Sequence, residues 1–505
     1  MVATGAQLQL GGAFLPEEGA RRLGVFRYVE TALLRLMAAR IATVPELDVK
    51  IELARQVAFG AERADALWKR TTQLLWPEDR DVLLHPAPAS LLRALEDEAP
   101  GTAGLLGGIG LVAASLARAY REHAGATDPI TDAPTVRLLK HLAEDAQALG
   151  DWAGARATAG APDGAPSFVM DLERRFVAAQ ESWTTPPDQE SEGASLRAEL
   201  SRVPEGPGAQ VRMVARDGRF RDLGPDETPP PEPLDTPQGR LAYLLRTLNF
   251  ELFAAELMGR NLYEFGPTLP WQFTLDMARQ CWDEARHAEI MVRRIEATGV
   301  PWQPGEPGFA PYPLDNGPWA DIYPGGLFER LVAMNRGIEG LSLDTHLYRF
   351  DTFAGLGDDV GAASHLYIVA DEAPHVGFGT RWLRYLLFRE TQPRQDDLAL
   401  IPFFPVMGQQ FAPGEDPPGQ DERRIFQEAE ARSWERIAER RLARLEREGR
   451  ADFAAPPDSP PPTGPSVLGV RRRDAVNRLA RRLAGFTEEE IEQAVVAAGG
   501  KVAVE

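Results

Sequence analysis

The feature that most constrains this chain is a metal-ligand pattern that occurs twice in its second half. In each copy a lone glutamate is followed, 33 residues later, by a glutamate with a histidine three positions after it. The two sets are Glu251, Glu284 and His287, and Glu339, Glu372 and His375. A glutamate and a histidine three residues apart lie on one face of a helix, so both can reach one ion. Six such ligands on four helices predict a two-metal site inside a helical bundle.

The mixture of ligand types indicates which metals fit. Carboxylates can bridge two cations, whereas an imidazole holds one ion in a fixed place, and this combination suits iron or manganese better than structural zinc. We therefore expect two iron ions per chain, with a manganese–iron pair as the alternative. Six ligands for two ions also leave open coordination positions, which oxygen chemistry requires.

Helix length favours Glu251 over its neighbour Glu256 as the first ligand. Glu251 and Glu284 each stand about sixteen residues from the expected turn near residue 267, so they reach the same height in an antiparallel pair. Glu256 follows Glu251 by five residues, as Asp344 follows Glu339. We expect Glu256 and Asp344 to belong to the outer shell of the site.

Other residues around the motifs predict how the histidines are held. An aspartate precedes each motif glutamate, and metal-bound imidazoles usually give their second N–H to a carboxylate. Asp283 and Asp371 are therefore expected to support the histidine of the opposite helix pair, with Arg286 neutralising one of them. Pro374 replaces that arginine in the second motif, and we expect it to kink its helix and widen the pocket beside His375.

Composition limits the class of protein. A formal charge of −20 argues against a nucleic-acid-binding surface, and one cysteine, Cys281, excludes an intrachain disulfide. The N-terminal residues show no secretory signal, and no stretch approaches 18 uninterrupted apolar residues, so no membrane span is expected. These features predict a soluble protein of the cytoplasm.

Pro- and Gly-rich segments divide the chain into five parts. Helical periodicity predicts a bundle in 1–184, a linker with a small hairpin at Asp217-Gly218 in 185–237, and the metal-bearing bundle in 238–390. An irregular segment with a charged helix follows in 391–454, and a Pro-rich linker with a small helical tail in 455–505. The second bundle should contain helices near 238–264, 271–298, 325–351 and 362–390. The charges of the helix at 421–449 are interpreted as a solvated face.

The first bundle resembles the second in its layout. When the halves are aligned, Gly60 falls on the position of Glu284, Arg63 on that of His287, and Ala148 on that of His375. This pattern favours a duplicated bundle whose first copy has lost its metal ligands. The alternative is that two amphipathic bundles share their periodicity by chance.

The second half also resembles known proteins. Asp283-Glu284-Ala285-Arg286-His287 is similar to the ligand motif of di-iron oxygenases, acyl-carrier-protein desaturases and the ribonucleotide reductase radical subunit. The spacing of 33, with the stretch from Ile368 to Val376, resembles an uncharacterised bacterial ferritin-like family, of which the enzyme that hydroxylates a modified adenosine in transfer RNA looks like a relative. The resemblance covers 238–390. It implies an all-α fold with a ferritin-like four-helix bundle, preceded by the metal-free bundle.

The function expected from the motifs and this resemblance is that of a di-iron oxygenase. It would use O2 to hydroxylate, N-oxygenate or desaturate a small-molecule or carrier-bound substrate, with electrons from an external reductase, because no dinucleotide-binding fingerprint is present. A homodimer is a further expectation. The alternatives are a ferroxidase or peroxide-scavenging protein and a non-catalytic, metal-stabilised scaffold. Three tyrosines near the ligands are candidates for electron relay or oxygen binding, with core packing as the alternative, and these are Tyr263, Tyr348 and Tyr367.

Overall fold

The computed structural model describes residues 12, 14–74, 83–84, 86–159, 165–178, 194–195, 200–202, 211–222, 233–388 and 420–448. These residues are predominantly helical, which confirms the all-α prediction at that level. The tail at 455–505 and residues 391–419 lie outside the described residues, as does the side chain of Asp344.

Helices account for most of the described chain. In order they are α1 Pro16–Ile41, α2 Leu47–Leu74, α3 Pro86–Glu98, α4 Gly101–Ala126, α5 Ala133–Ala159, α6 Ala165–Ala178, α7 Pro237–Phe265, α8 Trp271–Ala297, α9 Gly317–Ile322, α10 Leu327–Leu331, α11 Glu339–Gly355, α12 Asp359–Phe388 and α13 Gln420–Arg447. A 3-10 turn, Gly266–Thr268, follows α7, and a π-helical segment, Val332–Ile338, leads into α11. The sequence patterns missed α3, α6 and the short α9.

The chain divides into two compact units, and the division crosses α7 and α8. The first unit comprises Met1–Asp217 and Ala255–Ala285, and the second comprises Gly218–Ala254 and Arg286–Glu505.

The first unit contains two helical hairpins. α1 packs against α2 and α4 against α5, and α2 also contacts α5. A fully buried ionic cluster lies in their interior, where Glu30 accepts hydrogen bonds from Arg63 Nε at 2.9 Å and from the Tyr120 hydroxyl at 2.8 Å. Arg63 is the residue that aligns with His287, so a guanidinium stands at that position of the first bundle. Whether the two bundles are duplicates stays a prediction.

Helix α4 is apolar enough, by length and composition, to cross a membrane. However, 72% of its most apolar window is buried inside the protein. This degree of burial is what the core helix of a globular bundle shows, since such a helix is hydrophobic on most sides.

The predicted hairpin at Asp217-Gly218 is wrong. Strand β3, Phe220–Asp222, pairs in parallel with β4, Tyr312–Leu314, and Phe220 lies opposite Tyr312. A second short pair, Leu83–Leu84 with Ala194–Ser195, is antiparallel. Both pairs join segments about ninety residues or more apart in the sequence, which a local turn signal does not predict.

The charged helix α13 is not simply a solvated face. Its Arg444 forms two hydrogen bonds with the Asp321 carboxylate, from Nε at 2.8 Å and Nη2 at 2.9 Å. One turn earlier Arg440 Nη2 lies 2.7 Å from Glu329 Oε2, and Arg436 pairs with the same carboxylate. These arginines recur every four residues, so one side of α13 binds the acidic side chains of α9 and α10.

Candidate metal centre

The structure gathers all six predicted ligands into two overlapping groups. In the first group, ligand atoms of Glu251, Glu284, His287 and Glu372 lie within 4.8 Å of one another. In the second, the same holds for Glu284, Glu339, Glu372 and His375. Glu284 and Glu372 belong to both groups, so their carboxylates stand where they can bridge two ions. The sequence pattern did not separate these shared glutamates from the terminal ones.

Four helices carry these side chains, and all six side chains are buried. α7 contributes Glu251, α8 contributes Glu284 and His287, α11 contributes Glu339, and α12 contributes Glu372 and His375. None of the six is more than 6% exposed. The three-residue spacing within α8 and α12 puts each glutamate and its histidine on one side of the helix.

Each histidine presents the same ring nitrogen to the carboxylates. His287 Nδ1 lies 3.4 Å from Glu251 Oε2 and 3.8 Å from Glu372 Oε1. His375 Nδ1 lies 3.6 Å from Glu372 Oε2 and 3.9 Å from Glu339 Oε2. Gaps of this size between ligand atoms are those of groups that surround an ion, since metal–ligand bonds to such groups are about 2.0–2.2 Å long. Nδ1 is therefore the nitrogen of each ring that faces the carboxylates and could bind an ion.

Asp371 supports the opposite nitrogen of His287. Its Oδ2 lies 3.2 Å from His287 Nε2 and also accepts a hydrogen bond from Arg286 Nη2 at 2.7 Å. If Nε2 carries the proton, Nδ1 is left with the lone pair that binds a metal. This cross-helix contact has the form that the sequence predicts for Asp371 and Arg286. Asp283 accepts a hydrogen bond from Arg279 at 2.7 Å, and its support of His375 stays a prediction.

Two buried amides near the ligands were missed from the sequence. Gln280 Nε2 donates to Glu284 Oε1 at 3.0 Å, one turn earlier on α8. Asn335 Nδ2 donates to the backbone carbonyl of His375 at 3.0 Å. Asn335 belongs to the π-helical segment directly before Glu339, and such segments are frequent at functional sites. The i,i+4 spacing could have revealed Gln280, whereas nothing local marks Asn335.

The charge of the donor set fits two divalent cations. Four buried carboxylates and two imidazoles carry a formal charge of −4 when the glutamates are ionised and the histidines neutral. Isolated buried charges are strongly unfavourable, so such carboxylates need counter-charge close by. Two divalent ions supply it in full, and the buried Glu/His groups could therefore hold metal.

Glu256 does not belong to the outer shell. It is fully buried in the first unit, where Lys50 Nζ lies 2.7 Å from its Oε1 and Arg216 Nη2 lies 3.0 Å from its Oε2. Two cations thus engage both of its carboxylate oxygens. The outer-shell prediction for Glu256 was wrong because its partners are distant in sequence, and Lys50 lies 206 residues away from it.

The three tyrosines named from the sequence do not adjoin the ligands. Tyr348 and Tyr367 are 64% and 70% exposed, and Tyr263 is buried with its hydroxyl bonded to Glu96. Burial raises the pKa of Tyr263. Tyr263 also stands twelve residues beyond Glu251 on α7, a distance of about 18 Å along the helix. Tyr348 and Tyr367 are too exposed for core packing, and they do not lie beside the ligands as an electron relay would require.

Comparison with known proteins places the chain in a family. Residues 172–426 match the family described as Protein of unknown function (DUF455), which is half of the sequence. The chain belongs to this family. All six candidate ligands lie inside the matched region, so the family match includes the part of the chain that could hold metal. No curated protein and no solved structure gives a significant match.

Replacing Asp371 by asparagine should weaken metal binding by about 10- to 100-fold, because the amide no longer anchors the His287 N–H as a charged acceptor. Competition between the protein and a chelator for Mn2+ measures this change. Asp171→Asn is the matched control, since Asp171 also pairs with an arginine but lies on α6. Equal affinities for the D371N variant and the wild type would show that Asp371 does not support the ligand.

Proposed function

We propose that this protein is a non-haem di-iron oxidoreductase that uses O2 to oxygenate or desaturate an organic substrate. The supporting observation is the pair of four-residue ligand groups that share Glu284 and Glu372. The proposal includes a ferritin-like arrangement of α7, α8, α11 and α12, which is the fold in which such a ligand set is known. When bound, two ferrous ions would supply electrons for the reduction of O2.

Iron is favoured by the chemistry of the donors. Each group offers three carboxylates and one imidazole, a hard and nitrogen-poor set. Closed structural zinc sites instead use four thiolate or imidazole ligands. Four ligand residues per ion leave coordination positions for O2 or substrate, as in non-haem iron oxygenases. Manganese shares these preferences, so a mixed pair remains the alternative composition.

The chain's own residues hold the centre and exclude water. The histidines would hold one ion each through Nδ1, and Asp371 keeps His287 oriented through Nε2. Glu284 and Glu372 would each be available to both ions, since each belongs to both ligand groups. The burial of all six ligands keeps the site in a low-dielectric surrounding, where electrostatic interactions are strong.

The other parts of the proposal concern the protein's surroundings. A small-molecule or carrier-bound substrate, an external reductase, a homodimeric state and a cytoplasmic location all belong to it as proposals.

The proposal is tested by iron loading followed by reaction with O2. The full chain is incubated anaerobically with ferrous iron, freed of excess metal, and assayed for iron content and for O2 consumption with a chemical reductant and no substrate. We expect about two irons per chain and sustained O2 consumption. A variant with His287→Gln and His375→Gln, checked for helicity, provides the metal-free control.

Three other outcomes would each contradict the proposal. Iron that oxidises once to an inert ferric product, with no further O2 consumption, favours the ferroxidase. Peroxide consumption in preference to O2 favours a peroxide scavenger. Metal that raises the unfolding temperature without any reaction with O2 favours the non-catalytic scaffold.

A further inference from the structure

A second polar cluster lies two helical turns away from the ligands, on the same helices. Tyr243 precedes Glu251 by eight residues on α7, His346 follows Glu339 by seven on α11, and His365 precedes Glu372 by seven on α12. At 1.5 Å per residue these offsets amount to about 10–12 Å along each helix. The cluster therefore lies about two turns from the candidate ligands along each of these helices.

The three side chains form a continuous hydrogen-bonded chain. The Tyr243 hydroxyl lies 3.3 Å from His365 Nε2, and His365 Nδ1 lies 2.8 Å from His346 Nδ1. Phe353 stacks on the His365 ring with centroids 5.3 Å apart, which fixes the plane of that imidazole. All three polar residues are buried.

One choice of donor in this chain fixes the tautomers of both histidines. A neutral imidazole carries one N–H, so if Tyr243 donates to His365 Nε2, the His365 proton is on Nδ1. That proton is donated to His346 Nδ1, which leaves the His346 proton on Nε2. Each of these two contacts then has one donor and one acceptor. A proton leaving Tyr243 can pass along this chain without any side chain changing its position.

Burial and the charged neighbours favour the neutral, proton-accepting form of His365. Burial, then His346, Arg294 and Arg349, hold the pKa of His365 well below its usual range. Arg349 also lies over the Tyr243 ring, 4.8 Å from its centroid, while Arg294 is paired with Asp358. Burial raises the pKa of Tyr243 to about 12, so the phenol keeps its proton at neutral pH and needs a base in order to lose it. These cations also disfavour a metal ion between the two histidines.

We propose that Tyr243, His365 and His346 form a proton-coupled relay that supplies one electron to the metal centre. In this step Tyr243 loses one electron to iron that O2 has oxidised, and its O–H bond breaks. The phenol proton goes to His365 Nε2 while the Nδ1 proton of His365 goes to His346 Nδ1. Return of one electron from the external reductase, with reversal of the proton shift, restores the phenol. The relay rests on the proposed function, because iron is its oxidant.

Electron paramagnetic resonance tests the relay on the full chain. The protein is loaded with ferrous iron, its iron content is measured, and samples frozen at intervals after mixing with O2 are examined for an organic radical. We expect a tyrosyl signal that narrows when the protein carries ring-deuterated tyrosine and that is absent from Tyr243→Phe. Tyr367→Phe, which changes an exposed tyrosine of the same unit, should keep the signal, and His365→Gln should lower its yield several-fold.

A metal-free measurement tests the hydrogen-bonded chain separately. Nitrogen-15 NMR of the histidines should show His365 protonated on Nδ1 and His346 on Nε2 at neutral pH. Tyr243→Phe should shift the His365 Nε2 resonance and leave the helicity unchanged. The opposite tautomer on His365, or no shift in the variant, would overturn the relay.

The outcomes separate the relay from the proposed function. Two bound irons with no radical, or a radical that survives Tyr243→Phe, overturn the relay alone. A chain that binds no iron overturns the proposed function and leaves the relay without its oxidant.

Discussion

Replacing Glu372 by glutamine is expected to abolish metal binding at both positions, whereas replacing Glu251 by glutamine should abolish it at one. Glu372 belongs to both ligand groups, and Glu251 belongs to the first group alone. An amide has no charge to offset that of a cation, so each substitution weakens every ion that the carboxylate would bind. Metal analysis after dialysis should give about two ions for the wild type, about one for E251Q and close to none for E372Q.

The control and a second variant make this result specific. Glu289 lies on α8 near the ligands but pairs with Arg293 at the surface. The Glu289→Gln variant should therefore bind as much metal as the wild type. Glu284→Gln should behave as Glu372→Gln does. Equal losses in E251Q and E372Q would contradict the assignment of Glu372 as a shared ligand.

Replacing Glu256 by alanine should destabilise the protein by about 3–5 kcal/mol, since it leaves the buried ammonium of Lys50 without its carboxylate. Lys50 Nζ otherwise contacts only the Ile41 carbonyl among its hydrogen-bond partners in the described chain. Replacing both Lys50 and Glu256 by methionine removes the buried ammonium together with its carboxylate and should recover part of the loss, because Arg216 still loses its bond to Glu256. The shift of the urea unfolding midpoint measures both effects.

A surface pair and the pH dependence serve as controls for this prediction. Arg174→Ala removes an exposed partner of Asp171 and should change the stability by less than about 1 kcal/mol.

Burial lowers the pKa of Lys50 to about 8, against 10.5 for the unfolded chain. Between these values the unfolded state binds more protons, so the wild type should gain stability as pH rises from 8 to 10.5 relative to Lys50→Met. No difference in pH dependence between the two would contradict this account of Lys50.

The sequence predicts the helices and the ligands because both depend on short-range periodicity. Apolar residues at helical spacing put α7 and α8 within two residues of their observed ends, and the three-residue spacing puts Glu284 beside His287. Gly357, with φ of +75°, ends α11 where a left-handed residue is needed. The ferritin-like arrangement itself stays a prediction.

Features that depend on distant partners were not accessible in this way. Phe220 pairs with Tyr312, and Glu256 with Lys50, so neither the β-strand partner nor the ion pair is visible in a local window. Tyr348 and Tyr367 illustrate a second limit. A helical pattern gives the period of the buried face, but a tyrosine occurs on the buried side of a helix as well as on the exposed side. Tyr348 and Tyr367 both lie on the exposed side.

The arginines of α13 also determine when part of the protein can fold. Arg444 neutralises Asp321 and Arg436 neutralises Glu329 across intervals of 123 and 107 residues, and both acids are buried. During synthesis, therefore, α9 and α10 leave the ribosome well before their counter-charges exist. Closing such long loops is slow and comes at an entropic cost. The segment leading into Glu339 is thus expected to become ordered late, and a nascent chain halted before residue 420 should bind metal more weakly than the full chain.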